Sequence, residues 1–481
     1  MLVLHEKMRM IGEKERMKKA IGLLSTAILA GSILSAPAAS ASTHEALVQK
    51  AQSISMNGYD EYGFFYEDEP NNRFDQANKI QNDDLVIGKL TNNDKDYYKL
   101  VIDANQDVFF NFFAVADEDK PSLALQVDIY NSSQKKITPD FTDKDGGFFA
   151  GFEALAPGTY TFVVSDTLNK NNGVEYLFSA SAYTGVPEIT RIAGLDRYET
   201  AVKIAKADYQ KGAVSEVVLA TGLDFPDALA GAPLAYQMDA PILLTNAKSL
   251  PKSVKDAFTY FGVEHVTILG GTKAISKDVE NELKKMGISF DRISGANRYD
   301  TAAKIAAELI PGVSDTAFVT YGGNFPDALS VASIAALEGS PILLTNTKSL
   351  PPETAKALKD YKNAYAIGGK AVISSDVVKK LPNGKRISGE NRYETSVAVI
   401  NELDMPVFGA TLATGQGFAD ALTGSVYAAN NYEPVVLTKK DGLSTPAANL
   451  FLDYETMDYT ILGGKNALGI GVENDINHLF D

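Results

Sequence analysis

"LATGLDFPDALAG" (Leu219–Gly231) returns as "VTYGGNFPDALSV" (Val319–Val331) and, with Ala419 in place of the proline, as "LATGQGFADALTG" (Leu412–Gly424). Each copy opens on an apolar run, breaks at a glycine and continues into a small-residue segment that suits a helix. Copies roughly a hundred residues apart are too widely spaced for solenoid units and have the size of small domains.

The flanking blocks repeat in the same order. Upstream stand "RIAGLDRYETAVKIA" from Arg191, "RISGANRYDTAAKIA" from Arg292 and "RISGENRYETSVAVI" from Arg386. Downstream come "PILLTNAKSLP", "PILLTNTKSLP" and the divergent "PVVLTKKDGLS", then "VTILGGTKAIS", "AYAIGGKAVIS" and "YTILGGKNALG". Strand-like runs alternate with helical ones, and "FDRISG" (Phe290–Gly295) reads as the opening of the second unit. Continuous apolar strands alternating with helices predict α/β units with mostly parallel sheets. The carboxyl ends of such strands are where ligands bind.

These blocks are similar to the cell-wall-binding repeat, type 2. The resemblance covers residues 188–481, divided as 188–289, 290–383 and 384–481. It implies three small α/β units in a pseudo-threefold arrangement and no catalysis by the repeats. It also implies that an exported protein attaches noncovalently to an anionic polymer of the bacterial wall, teichoic-acid-like or a charged polysaccharide, alongside peptidoglycan.

Within the repeats, Arg197 and Tyr198, Arg298 and Tyr299, and Arg392 and Tyr393 follow a glycine turn at an expected helix start. Free backbone N–H groups there favour an anion, and an arginine adds a planar fork that matches phosphate or carboxylate. Asp196, Asn297 and Asn391 precede them as caps. Asp227, Asp327 and Asp420 complete the candidate polymer site. Two readings stay open for these Arg and Asp residues: contact with polymer, or pairing of each Arg with the Asp of its own "FPDAL", that Asp capping a helix. Phe225, Phe325 and Phe418 read as core. The third copy has lost the proline and the "TN" and is expected to fold alike but bind less well.

Before the repeats, "LVIGKL", "DYYKLVI", "DVFFNFFAVA", "LALQVDIYN", "GTYTFVVSD" and "EYLFSASAY" alternate in the manner of an antiparallel β-sandwich. Residues 67–184 resemble the bacterial pre-peptidase C-terminal domain in the acidic "EDEPNN" start, the Asp94–Tyr98 "DKDYY" entry and the "APGTYTFVV" hairpin. Carried over by motif, the resemblance implies Glu67, Glu69, Asn71, Asp94 and Asp96 as Ca²⁺ ligands, hard oxygens that suit this cation. The other reading is a solvated loop whose Asp and Asn residues close turns.

Met17-Lys18-Lys19, an apolar run and Ala39-Ser40-Ala41 have the form of a secretory signal peptide over residues 1–41, with Met17 as the start and Ser42 as the mature N-terminus. Residues 42–66 read as a linker, and no other stretch is long and apolar enough to span a bilayer.

The net charge of −16 over 481 residues disfavours nucleic acid and anionic lipid. No cysteine is present, which excludes thiol catalysis and thiolate metal sites. Four histidines, His5, His44, His265 and His478, do not supply a zinc amidase, and "HEALV" at His44 lacks the second His of a zincin. No G-x-S-x-G elbow occurs. The chain therefore reads as an exported wall-binding protein rather than an enzyme, with an autolysin-type wall-remodelling enzyme as the alternative.

Overall fold

The computed structural model describes residues 64–81, 84–91, 94–103, 106–114, 125–143, 148–167, 174–183 and 187–480. The signal peptide and all but the last three residues of the linker lie outside them. The chain divides between Val186 and Pro187 into two compact units.

In the first unit the described residues form a six-stranded and a five-stranded sheet. Burial alternates along the strand Asp96–Ile102, as the two-residue period of a half-buried strand requires. Tyr98, Leu100 and Ile102 meet Phe162 and Val164 of the strand Gly158–Asp166 in a core shared with Val86, Tyr176 and Phe178 of the other sheet. The long strands pair antiparallel. Two short ones, Phe64–Tyr66 and Asn78–Lys79, run parallel to their neighbours.

The second unit contains three four-stranded sheets. In chain order the first holds Glu216–Thr221, Ile242–Thr245, His265–Leu269 and Ser289–Ile293. The second holds Thr316–Tyr321, Ile342–Thr345, Asn363–Ile367 and Lys385–Ile387. The third holds Gly409–Thr414, Val435–Thr438 and Asp458–Leu462, and is completed by Glu188–Ile192. All pairings are parallel, in the spatial order second, first, third, fourth. The first and second strands are buried along nearly their whole length, which explains their unbroken apolar composition.

Sheet boundaries do not follow the sequence repeat. "FDRISG" does not open the second unit's sheet, because Ser289–Ile293 pairs with His265–Leu269 of the first. Likewise Lys385–Ile387 closes the second sheet, and Glu188–Ile192 pairs with Asp458–Leu462 of the third. Each sheet thus takes its fourth strand from the segment that begins the following repeat, and the beginning of the region closes onto its end.

The segments after the first strands answer why one pentapeptide is written three times. The helices Gly231–Gln237, Pro326–Leu337 and Ala419–Asn430 pack against one another. They are rich in Ala, Gly and Ser, which lets their backbones approach closely. At their amino ends the rings of Phe225, Phe325 and Phe418 meet edge to face or tilted, with centroids 5.5, 6.0 and 6.2 Å apart. One hydrophobic cluster runs through residues of all three repeats.

Candidate functional sites

Because every strand of the second unit is parallel, all its motif loops leave from strand carboxyl ends. The helices Arg197–Asp208, Arg298–Ala307 and Arg392–Glu402 begin there. Their first turns are closed by the protein itself. Asp196 Oδ1 accepts from the N–H groups of Tyr198 and Glu199, both at 2.9 Å, and Asn297 and Asn391 do the same. Glu199, Asp300 and Glu394 reach back past the cap and accept from the N–H of Leu195, Ala296 and Glu390, the residues just before it. The expectation of free helix-start N–H groups for an anion is therefore corrected at the second and third positions, whose N–H groups the cap residues take. Gly194 is required by close approach, since a Cβ there would lie 2.5 Å from the backbone of Glu199.

The arginines point elsewhere. Arg197 Nη1 donates to the carbonyl of Gly222, Arg298 Nη1 to Gly322 and Arg392 Nη1 to Gly415, each the glycine just before the phenylalanine motif. Among the described residues, none of these arginines forms an ion pair with the Asp of its own repeat. Burial raises the Asp327 carboxyl to about 6, opposed by Arg392 of the third repeat. Burial likewise raises Asp420, opposed by Arg197 of the first. The Arg197 guanidinium also lies 5.8 Å from the centre of the Phe418 ring. Charge coupling thus runs between repeats around the axis.

Nor do the three Asp residues cap helices. Phe325 and Phe418 occupy the cap positions without a side-chain bond. Asp227 instead sits against Gly270 of the "GG" loop, where a Cβ would fall 2.6 Å from its Oδ2, and Asp327 and Asp420 sit against Gly368 and Gly463. These glycines have φ of +98°, +123° and +94°, a region that favours glycine.

Tyr198 and Tyr299 donate their hydroxyls to Asn246 and Asn346 Oδ1 at 2.6 Å. These asparagines end the "PILLTN" block, and their repetition was the signal that could have marked them. Lys439 stands at this place in the third repeat. Arg191, Arg292 and Arg386 were also missed: each leaves a fourth strand to bond two carbonyls of the "GG" loop beside it. Of the core readings, Phe418 is buried, while Phe225 and Phe325 are half-buried at the axis.

The second site lies in the first unit. Carboxylate oxygens of Glu67, Glu69 and Asp96 fall within 4.8 Å of one another. Asn71 joins them through its Nδ2, 3.3 Å from Glu67 Oε2, and through its N–H, which donates to Glu69. Asn71 and Asp96 are fully buried, and the Oδ1 of each has no hydrogen-bond partner. Asp94 is not among these clustered carboxylates and closes its own turn, accepting from Thr91 and Lys95. Tyr98 and Tyr176 back the cluster: Tyr98 Oη is hydrogen-bonded to Glu67 at 2.7 Å, Tyr176 Oη to Asp96 at 2.6 Å, and the two hydroxyls to each other at 2.7 Å. Burial pushes Glu67 up to about 7 and Asp96 to about 8, helped by the proximity of the carboxylates to each other. Two orphaned buried oxygens among acids kept from ionising are a donor set that fits a hard divalent cation.

Comparison with known proteins follows the repeats. The family Cell wall binding domain 2 (CWB2) matches residues 191–280, 292–378 and 386–473, and the chain belongs to this family. Over 292 residues, 60% of its length, the chain is 35% identical to the N-acetylmuramoyl-L-alanine amidase LytC and 34% identical to the Amidase enhancer, both of Bacillus subtilis (strain 168). The match covers 58% and 40% of those relatives, so the chain spans about half the length of the curated proteins it matches. Cwp6 from Clostridium difficile shares the fold at a TM-score of 0.57 and 21% identity, covering 82% of this chain and 68% of that one. Cwp8 from Clostridium difficile does so at 0.56 and 24%, covering 78% and 64%.

Proposed function

We propose that this member of the cell wall binding domain 2 family is an exported protein that holds an anionic wall polymer, teichoic-acid-like or a charged polysaccharide, at the strand carboxyl ends of its repeat region. The observation that carries the reading is that Arg197, Arg298 and Arg392 each begin an equivalent helix at a strand carboxyl end, each fixed in place by a glycine carbonyl. A guanidinium held in one orientation loses little freedom when it meets phosphate or carboxylate. One such surface contact contributes on the order of 1 kcal/mol or less. A polymer engages three at once, so modest contacts multiply through effective concentration.

Binding of the full chain to purified walls is measured before and after chemical removal of the anionic polymers. Loss on stripping supports the reading, and equal binding to stripped walls overturns it in favour of peptidoglycan. Arg197→Gln, Arg298→Gln and Arg392→Gln together should weaken binding more than any loss of melting temperature explains.

The first unit is read as a pre-peptidase C-terminal-like β-sandwich that takes Ca²⁺ through Glu67, Glu69, Asn71 and Asp96. Bound there, the cation neutralises buried carboxylates and ties the acidic start to the strand Asp96–Ile102; its role is structural. The hydrolytic alternative takes its support from the two Bacillus relatives and is tested on wall zymograms, where clearing by the purified chain would establish it. Mass spectrometry of the secreted form checks export, with Ser42 expected at the N-terminus.

A further inference from the structure

The loops after the second and third strands of each sheet contain a repeated charge that the arginine motif does not include. After the second strands stand Lys248, Lys348 and Lys439, with Lys440 beside the last. After the third strands, in the "GG" loops, stand Lys273, Lys370 and Lys465. All are exposed, and none makes an ion pair among the described residues. Of these six loops, five contain no acidic residue, and the sixth sets Asp441 against two lysines.

That is unexpected in a chain of net charge −16. Several of its other lysines are used internally. Lys203 and Lys304 bond the carbonyls of Ala193 and Ser294 and pair with Glu199 and Asp300. Lys362 pairs with Asp315 where the strands begin. No ion pair among the described residues accounts for the recurrence of lysine in the same loops of all three sheets, although its position within each loop shifts. Exposed charges more than about 10 Å apart are screened from one another at ordinary salt, so this end can attract an anion although the molecule as a whole is acidic.

We propose that these lysines form two basic rings around the arginine motifs and are the groups that read the charge of a polymer of repeating phosphates or carboxylates. The inference rests on the wall-polymer reading and deepens it: the arginines form a fixed centre, while the lysines supply a wide, sequence-tolerant attraction. Lys439 takes the place of Asn246 and Asn346, so the third repeat trades a tyrosine-fixing amide for charge instead of losing its share of the site. This reverses the expectation that it binds less well.

Three full-length variants separate the possibilities. Two remove a ring each: Lys248→Gln with Lys348→Gln and Lys439→Gln, and Lys273→Gln with Lys370→Gln and Lys465→Gln. The third removes equal charge at the opposite strand ends: Lys211→Gln, Lys285→Gln and Lys380→Gln. Affinity is measured against purified walls, and against inorganic polyphosphate and polyglutamate as phosphate and carboxylate probes, over a series of salt concentrations.

Each ring variant should bind about tenfold to a hundredfold more weakly, at two- to fivefold per exposed contact, with a shallower salt dependence. The opposite-end variant should stay within about twofold. The probe more affected by ring removal identifies the anion chemistry. Unchanged binding by both ring variants, with stripped walls still losing wild-type protein, overturns the rings and leaves the wall-polymer reading standing. Equal loss in the opposite-end variant overturns them in favour of net charge alone. Undiminished wild-type binding to stripped walls overturns the parent reading.

Discussion

Removing the charge of Asp96 while keeping its shape should stabilise the first unit without metal and abolish its response to calcium. The proton count around this residue supports that outcome. Glu67, Tyr98, Tyr176 and Asp96 form a chain of oxygens with three short contacts. Each contact needs a proton; the two phenols supply two, and the third must come from a carboxylic acid. The raised values of about 7 and about 8 agree with a retained proton. In the unfolded chain both carboxyls ionise near pH 4, whereas in the fold they hold on until pH 7–8. Between those limits the native state binds more protons, so metal-free stability is highest at low pH and falls as pH rises. Glu67 alone, raised from 4.5 to about 7, costs about 3 kcal/mol to ionise in place. At about 4 °C per kcal/mol, the first unit should melt roughly 10 °C lower at pH 8 than at pH 5. Calcium at a hundred times its dissociation constant restores about 2.7 kcal/mol, at pH 8 but not at pH 5, where protons hold the site. Calorimetry of the full chain reads the transition, and buffers of different ionisation heat read the release of about one proton per calcium. Asp96→Asn should raise the metal-free melting point at pH 8 and remove the calcium shift. Melting points independent of both pH and calcium, or an Asn variant that still responds to calcium, would refute this account.

Two perturbations probe the repeat region. Gly270→Ala places a Cβ 2.6 Å from Asp227 Oδ2 at a φ of +98° and should cost about 2 kcal/mol or more in urea denaturation, while Gly271→Ala, with nothing within 4 Å, should be near neutral; equal effects would discount the Asp–glycine contact. A chain beginning at Ala193 lacks the fourth strand of the third sheet and the Arg191 bonds to Gly463 and Leu468, so its repeat region should melt well below that of a chain beginning at Pro187; matching melts would mean that the strand does not close the region.

The parallel α/β character of the repeats was legible because strands such as Ile242–Thr245 are buried on both faces and must be apolar throughout, a local property that the sequence displays directly. The acidic cluster of the first unit was legible for a similar reason: Glu67, Glu69 and Asn71 lie close in sequence, and only Asp96 had to be brought to them. Asp94 misled because a D-x-D turn needs one of its acids to close the turn, and composition does not say which. The electrostatic influence of one repeat on the next was not legible at all, and repetition is the cause. When "RY" occurs three times and "FPDAL" twice with a third copy "FADAL", an arginine has three equivalent aspartates to choose from, and every choice satisfies the same pattern. Loop length favours the one in its own repeat. What decides otherwise is the packing of three small-residue helices on a common axis, which brings Asp327 toward Arg392 and Asp420 toward Arg197. A site coupled in this way belongs to the assembled ring and not to any one repeat. That explains why the third copy can lose its proline and its asparagine and still retain the arginine on which its neighbour depends.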